Sequence, residues 1–432
     1  MITKLNTKDQ SIKSYAIRKL TPKECFRLMG VDDDTISVMQ STMGEARQRV
    51  KGWTDKCKNP DAAAISVSQQ YKMAGNSIVV NVLRDIYENL WYPKPHQTSN
   101  DSLFQEQLPV MSEIVGMGGG KLFLTTFSGY DSQLLAADAL KKLHPDFSWD
   151  CVGWSDIDKF ACQMHNLIFP QFEDRALGDI TKIDWQNVKR NLNGKEIDLL
   201  TYSSPCQDIS QAGKQMGLKA GSGTRSALLW NVSDAVETLR PKYLLQENVA
   251  ALVSKKFMPD FHKWLDRLEH LGYINRWALI NAKDHGVPQN RLRVFCLSMR
   301  KDVAFDYQFP DPVPLDRLLA DVLEEEVVDR FFLKDDAVSK FLKANDEDNA
   351  LFVQFDLSPT HEAAMFLKTL LHEFMDISGA WNLTPSELER LIKHNYKSFN
   401  ASWKQWQNDR STFTEDFLQK FEENMERKQN EV

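Results

Sequence analysis

The sequence predicts an α/β protein, with a doubly wound, mostly parallel sheet and a smaller helix-rich C-terminal domain. Two observations carry that expectation. Between residues 121 and 298, short runs rich in β-branched and aromatic residues alternate with runs of helical period, the rhythm of successive strand–helix–strand units. Beyond about residue 330 the apolar residues recur at helical spacing alone. The scale is sufficient: 432 residues, 42% hydrophobic and 26% charged, can bury a large core without disulfides or metals to hold it.

Taken in order, residues 1–20 are polar, and Thr21-Pro22-Lys23-Glu24 then opens a helix. Threonine is the N-cap, proline takes the first helical position, and glutamate closes a capping box. Gly30 ends that helix, and a polar stretch rich in Asp, Gln and Lys follows. Gly75-Asn76-Ser77 leads into Ile78, Val79, Val82, Leu83, Ile86 and Leu90, one apolar helical face. From Tyr92 to Gly120 Pro, Gln, Ser, Asn and Gly dominate, which reads as a linker. Strands are expected at 121–127, 150–154, 197–202, 243–246, 273–280 and 292–298, with helices at 132–143 and 159–168. In such a sheet ligands sit at the carboxyl ends of the strands, where Phe127-Ser128-Gly129, Trp154-Ser155-Asp156, Tyr202 to Cys206 and Glu247-Asn248 fall. Helices are expected again at 362–375, after the capping box Thr384-Pro385-Ser386-Glu387, and at 415–425.

Charge and cysteine usage exclude several classes. A net charge of -7 argues against bulk, non-specific attraction to nucleic acid or anionic membrane, so a nucleic-acid site must be a local basic groove. No apolar run reaches membrane-spanning length and no secretory leader pattern opens the chain, so the expected location is cytoplasmic. The six cysteines (Cys25, Cys57, Cys151, Cys162, Cys206, Cys296) lack the paired spacing of a zinc or redox motif, and no metal site is expected.

The chemistry-bearing residues lie at those strand ends. Cys206, in Ser203-Ser204-Pro205-Cys206-Gln207-Asp208, follows a strand and precedes a glycine-bearing loop, where turn N–H groups favour a nucleophilic thiolate. A buried spare cysteine is the alternative. Glu247 closes an apolar strand, a position that raises a carboxyl pKa and suits proton transfer, or else supplies a charge to a following helix N-terminus. Arg291 and Arg293, two apart on a strand, point to one face and suit an anionic or carbonyl-bearing substrate, or form a surface ion-pair pattern. Phe127-Ser128-Gly129-Tyr130-Asp131-Ser132 has one glycine and fails the dinucleotide fingerprint. Asp156 stands where an acid binds ribose hydroxyls, and Asp179 offers another acid; both also fit helix-capping aspartates.

In combination, the Phe-x-Gly turn, the Pro-Cys-Gln segment, Glu247-Asn248-Val249 and Gln289-Asn290-Arg291-Leu292-Arg293 resemble the motifs of the DNA (cytosine-5) methyltransferase family. Residues 18–30 and 75–80 resemble the two motifs that normally end that family's chain, so this chain resembles a circularly permuted member of prokaryotic or phage type. Permutation is tolerated where termini lie together at a surface. The organisation implied is a permuted segment at 1–91, a linker at 92–120, a catalytic domain at 121–326 with a Rossmann-like methyltransferase fold, and a helix-rich target-recognition or interaction domain at 327–432.

The resemblance implies S-adenosylmethionine as cofactor and double-stranded DNA as partner. Cys206 would add to C6 of cytosine, Glu247 would contact N3 and the exocyclic amine, Arg293 would hold the base carbonyl and Arg291 would support the pocket. The target base must be flipped out of the stack, with Gln207 and Ser210 on the loop that clamps it. Phe127 and Gly129 would lie near the methionine end, Asp156 with Ile157 at the ribose, and Asp179 with Ile180 at adenine. Pro205, Leu228, Asn76 and Ser77 complete the implied pocket. Asp156 stands where the family usually has glutamate, and Asp131 and Ser132 replace common glycines. The acidic C-terminal region offers Trp403-Lys404-Gln405-Trp406 with Lys393 and Lys397 as a basic and aromatic patch, or as core. It also motivates two other readings: methylation of a structured RNA, and an inactive cofactor-binding partner.

Overall fold

The computed structural model describes residues 2–5, 12–15, 18–93, 120–205 and 228–333. The chain forms two compact units, residues 20–327 and, separately, residues 1–19 with 328–432. In the second, β1 (Ile2–Leu5) and β2 (Ile12–Tyr15) pair antiparallel, Arg18 forms an isolated antiparallel bridge with Phe332, and the Lys19 N–H donates to the Phe331 carbonyl at 2.9 Å. The helices expected beyond residue 362, and the Trp403 patch, lie outside the described residues, as does the linker from 94 to 119.

The larger unit opens with α1 (Pro22–Arg27), and its capping box is formed: the Thr21 N–H donates to Glu24 Oε2 at 2.7 Å and the Glu24 N–H to Thr21 Oγ1 at 3.2 Å. The polar stretch after Gly30, for which the sequence reading names no element, holds three helices, α2 (Asp33–Met39), α3 (Met43–Arg49) and α4 (Val67–Asn76). Two have only seven residues, too few turns for an apolar period to show, and each buries one or two apolar side chains. Their start signals were present in Asp32, which accepts from the Thr35 N–H, and in the Thr42–Glu45 capping box. Helix α5 (Val80–Trp91) buries Val82, Leu83, Ile86 and Leu90, the face its sequence period marks, and Tyr87 beside them.

The main sheet comprises β3 (Lys121–Thr126), β4 (Trp149–Ser155), β5 (Leu199–Tyr202), β6 (Tyr243–Val249), β7 (Tyr273–Asn281) and β8 (Leu292–Arg300), in spatial order β4-β3-β5-β6-β8-β7. The first four are mutually parallel, while β8 runs antiparallel to both β6 and β7. Only residues 282–291 join β7 to β8, too few for a crossover helix, so the last pair must be a hairpin. Between the strands lie α6 (Ser132–Leu143), α7 (Lys159–Ile168), α8 (Trp185–Asn191), α9 (Leu229–Leu239) and α10 (Met258–His270).

Strand alternation divides the core between two faces. Phe123 and Leu245 join α5, α6 and α7 in one cluster, whereas Leu124 and Leu244 join α8, α9 and α10 in the other. Helices therefore cover both faces, which defines the doubly wound α/β fold. Residues 20–93 furnish much of the first layer: Tyr87 and Trp91 of α5 pack their rings on Phe123 at 5.6 and 5.5 Å between centroids. Strand order reverses between β3 and β5, with β4 added on one side and β6 on the other, so the ligand crevice falls at the carboxyl ends of those two parallel strands. Among the described residues no helix is long and apolar enough to cross a membrane, and no group of three or more His, Cys, Asp or Glu could hold a metal ion.

Candidate active site

At the crevice, the turn after β3 is wound by three residues of positive φ: Phe127 at 53°, Gly129 at 59° and Asp131 at 71°. Glycine adopts that region without strain, but a bulky phenylalanine there carries about 1–3 kcal/mol that its surroundings must hold. Those surroundings are visible: Ser203 Oγ, just past β5, donates to the Phe127 carbonyl at 3.3 Å, and the Ser128 N–H donates to the Ser155 carbonyl at 3.1 Å. No described atom lies within 4 Å of where a Cβ on Gly129 would sit. Among the described residues the turn thus presents backbone to open space.

Asp156 braces the same turn. Its Oδ2 accepts from the Gly129 N–H and its Oδ1 from the Asp158 N–H, both at 2.8 Å. Burial pushes this carboxyl above the ordinary aspartate range, against those two bonds. Ile157 beside it is 74% exposed, a large apolar side chain left open at the crevice edge. Asp179 behaves as a cap: its Oδ1 accepts from the Thr181 N–H at 3.0 Å and Thr181 Oγ1 at 2.8 Å, bonds that hold its carboxyl below the usual range. Ile180 is buried in the second core cluster, and half-buried Leu228 stands at the start of α9.

Glu247 sits inside β6 and not past its end, because β8 pairs with β6 as far as Val249. In that register Glu247 faces Phe295 and Val249 faces Arg293, so Glu247 and Arg293 are diagonal neighbours on one face. Arg293 Nε lies 3.2 Å from Glu247 Oε1. Burial raises the Glu247 carboxyl above its ordinary range, while Arg293 and Arg291 oppose the shift without cancelling it. The result is a carboxyl that keeps a proton to higher pH beside a fixed guanidinium.

Arg291 is oriented from the other direction. Its Nη2 donates to the carbonyls of Gly75 at 3.0 Å, in the last turn of α4, and Ser77 at 2.7 Å, its C-cap. Ser77 Oγ and the Tyr130 hydroxyl share a hydrogen bond, so the Gly75–Ser77 segment ties the arginine to the β3 turn. Asn76 between them is exposed. Further bonds fasten residues 20–93 to the 282–291 connection: Gln289 Nε2 donates to the Leu28 carbonyl at 2.8 Å and Asn81 Nδ2 to the His285 carbonyl at 3.0 Å.

Cys206, Gln207 and Ser210 lie outside the described residues. Their approach is described as far as Pro205, and Asn248 Nδ2 donates to the Ser204 carbonyl at 3.2 Å. Asn248 and Tyr130 received no role in the sequence reading. Asn248 alternates to the sheet face opposite Glu247, a signal that was present in the strand period. Tyr130 carried none, since its partner Ser77 is 53 residues away in sequence.

The family model described as C-5 cytosine-specific DNA methylase matches residues 1–91 and 122–429. The type II methyltransferase M2.ScrFI of Lactococcus lactis subsp. cremoris is 46% identical over 166 residues, covering 38% of this chain and 44% of that protein. The orphan methyltransferase M.SssI of Spiroplasma monobiae is 53% identical over 114 residues, 26% of this chain and 29% of that one. The chain thus spans less than half the length of either relative. The solved structure of the S. pombe Dnmt2 methyltransferase matches at 19% identity and a TM-score of 0.33, covering 44% of this chain and 52% of that one.

Proposed function

The chain belongs to the C-5 cytosine-specific DNA methylase family, and from that membership we propose that it transfers a methyl group from S-adenosylmethionine to C5 of cytosine in double-stranded DNA. The observation that supports this most is the partly buried Glu247–Arg293 pair, which lies within β6 and β8 and adjoins, through Asn248, the segment that leads into Cys206.

In this reading the Cys206 thiolate adds to C6 of the ring and Glu247, whose carboxyl holds its proton to higher pH through burial, donates to N3. Electron density then accumulates at C5, which forms the new carbon–carbon bond. S-adenosylmethionine, when bound, would supply an electrophilic methyl group whose bond to the positively charged sulfur breaks in the transfer, the sulfur keeping the electron pair. Loss of the C5 proton to a base, expulsion of the Cys206 thiolate and return of the N3 proton to Glu247 restore the aromatic ring and the enzyme. Arg293 holds Glu247 and reaches the base carbonyl; Arg291, fixed by the Gly75 and Ser77 carbonyls, keeps that strand end in place. The base must leave the duplex stack for C6 to be reached.

The residues present fit the cofactor. Open space beside Gly129, a carboxylate at Asp156 and the exposed apolar Ile157 suit a ligand with an ammonium group, ribose hydroxyls and an adenine ring. The single glycine is no obstacle, because this cofactor has no pyrophosphate to cradle.

We also read residues 1–91 as the permuted end of the family's chain, supported by the separate match of 1–91 and by the bonds from Leu28, Gly75 and Ser77 to residues 289–291. Cleavage at a protease site introduced between 94 and 119 should leave the two pieces co-eluting; separation would contradict it. The function itself is tested with duplex DNA containing 5-fluorocytosine, whose fluorine cannot depart as a proton does. A covalent DNA adduct on Cys206 that forms only with S-adenosylmethionine is expected, and no adduct would overturn the reading.

A further inference from the structure

Asp131 occupies a position that should not favour it. Its backbone is left-handed, at φ 71° and ψ 58°, a region free of strain for glycine and adopted by aspartate or asparagine only at a cost that local bonds must offset. Its side chain is wholly buried, which costs a carboxylate far more unless bonds compensate. A residue penalised on both counts must recover the loss through what it touches.

Its contacts converge on the β3 turn. Asp131 Oδ2 accepts from Thr125 Oγ1 at 2.6 Å, and Oδ1 accepts from the Leu134 N–H at 3.3 Å, capping α6. The Asp131 N–H donates to the Ser128 carbonyl at 2.8 Å. His165 Nε2, also wholly buried and otherwise without a hydrogen-bond partner, lies 3.4 Å from Oδ2, its ring stacked on Trp154 at 3.8 Å. The Thr125–Asp131 bond therefore closes a loop whose interior is residues 126–130, the strained Phe127 and the open Gly129 included. Thr125 lies in β3, Asp131 heads α6, and His165 belongs to α7: three rigid elements meet at one carboxylate. Burial, and after it the Asp131 charge, pushes the Tyr87 hydroxyl and the Cys151 thiol upward.

We propose that Asp131 is a positioning residue, and that the Thr125–Asp131 hydrogen bond is a clamp holding the Phe127–Gly129 turn in its cofactor-accepting shape before any ligand arrives. This deepens the proposed function and rests on its assignment of that turn to S-adenosylmethionine. A glycine at 131 would permit the same backbone path, but nothing would hold it there. A clamp of this kind lowers the ordering that binding must impose, so it acts on affinity and not on the chemical step.

Thr125→Val, Asp131→Gly, Asp131→Asn and the Thr125→Val/Asp131→Gly double variant separate clamp from scaffold. Equilibrium binding of S-adenosylmethionine should weaken about tenfold in Thr125→Val and in Asp131→Gly, the double variant being no worse than Asp131→Gly. Asp131→Asn, which keeps an acceptor oxygen and tolerates the left-handed backbone, should recover most of the affinity. Methyl transfer at saturating cofactor should stay near the parent rate throughout. Amide hydrogen exchange of residues 126–131, without ligand, should quicken in the same two single variants while the sheet stays protected. Asp131→Gly binding as tightly as the parent, with unchanged exchange in the turn, would overturn the clamp. Faster exchange in the variants of a protein that binds no S-adenosylmethionine would keep the clamp and remove the cofactor assignment instead.

Discussion

Asn248 Nδ2 donates to the Ser204 carbonyl at 3.2 Å, joining the residue after Glu247 to the residue two before Cys206. Two strands that carry the proposed nucleophile and the proposed acid are thereby held in register at their ends, beyond where the ladder between β5 and β6 stops at Tyr202 and Gln246.

Removing that tether should act on chemistry more than on cofactor binding. Asn248→Ala leaves the Ser204 carbonyl without its amide donor in a buried setting, a loss of about 1–3 kcal/mol. The expected outcome is a lower melting temperature and a fall in turnover with unchanged affinity for S-adenosylmethionine. Unchanged turnover in a folded Asn248→Ala protein would show that the tether does nothing for the reaction.

Glu247 makes a pH-dependent prediction with a definite sign. Burial raises its carboxyl in the folded state, so the folded form binds more protons than the unfolded form above the ordinary value of 4.5. Its contribution to stability is fully present below that value and is lost as pH rises through the folded value. Glu247→Gln does not titrate. Measured from pH 4 upward, the melting temperature of the parent should fall relative to Glu247→Gln, and turnover of the variant should drop by about 10²-fold or more. A stability difference that grows in favour of the parent with rising pH would contradict the assignment.

Arg291 tests the role of the N-terminal segment. One guanidinium nitrogen spans two carbonyls, and a lysine ammonium on a flexible stem does not reproduce that planar fork. Arg291→Lys should lower stability by about 1–3 kcal/mol and reduce turnover, as read by denaturant melts and methyl-transfer rates. Stability equal to the parent would mean that the Gly75 and Ser77 contacts carry no weight.

Asp156 bears on the cofactor. Asp156→Asn keeps one acceptor oxygen where two are used, by the Gly129 and Asp158 N–H groups. Affinity for S-adenosylmethionine should weaken about tenfold while turnover at saturation is little changed. Equal affinity would separate Asp156 from the cofactor site.

Much of this was legible in the chain. The run of β-rich and helical segments placed α6 and α7 at their observed bounds, because each has three turns of clear apolar period. The Thr21–Glu24 capping box was legible because it is local. Helices α2 and α3 were not, since two turns with few buried residues leave no period to read. Glu247 was placed past its strand because the pairing that extends β6 to Val249 comes from β8, more than forty residues later. The clamp of Thr125 by Asp131 was hidden for another reason: the left-handed backbone at Asp131 is a tertiary outcome that residue type does not announce.

The central claim is methyl transfer to cytosine C5 through Cys206, and transfer of labelled methyl from S-adenosylmethionine to unmodified bacterial DNA tests it most directly. The parent and Cys206→Ala are compared, with bisulfite-type sequencing of the product. Label on cytosine C5 with the parent, and none with Cys206→Ala, is the predicted result. Label elsewhere, transfer that survives loss of the thiol, or no transfer by a protein that binds the cofactor would contradict it.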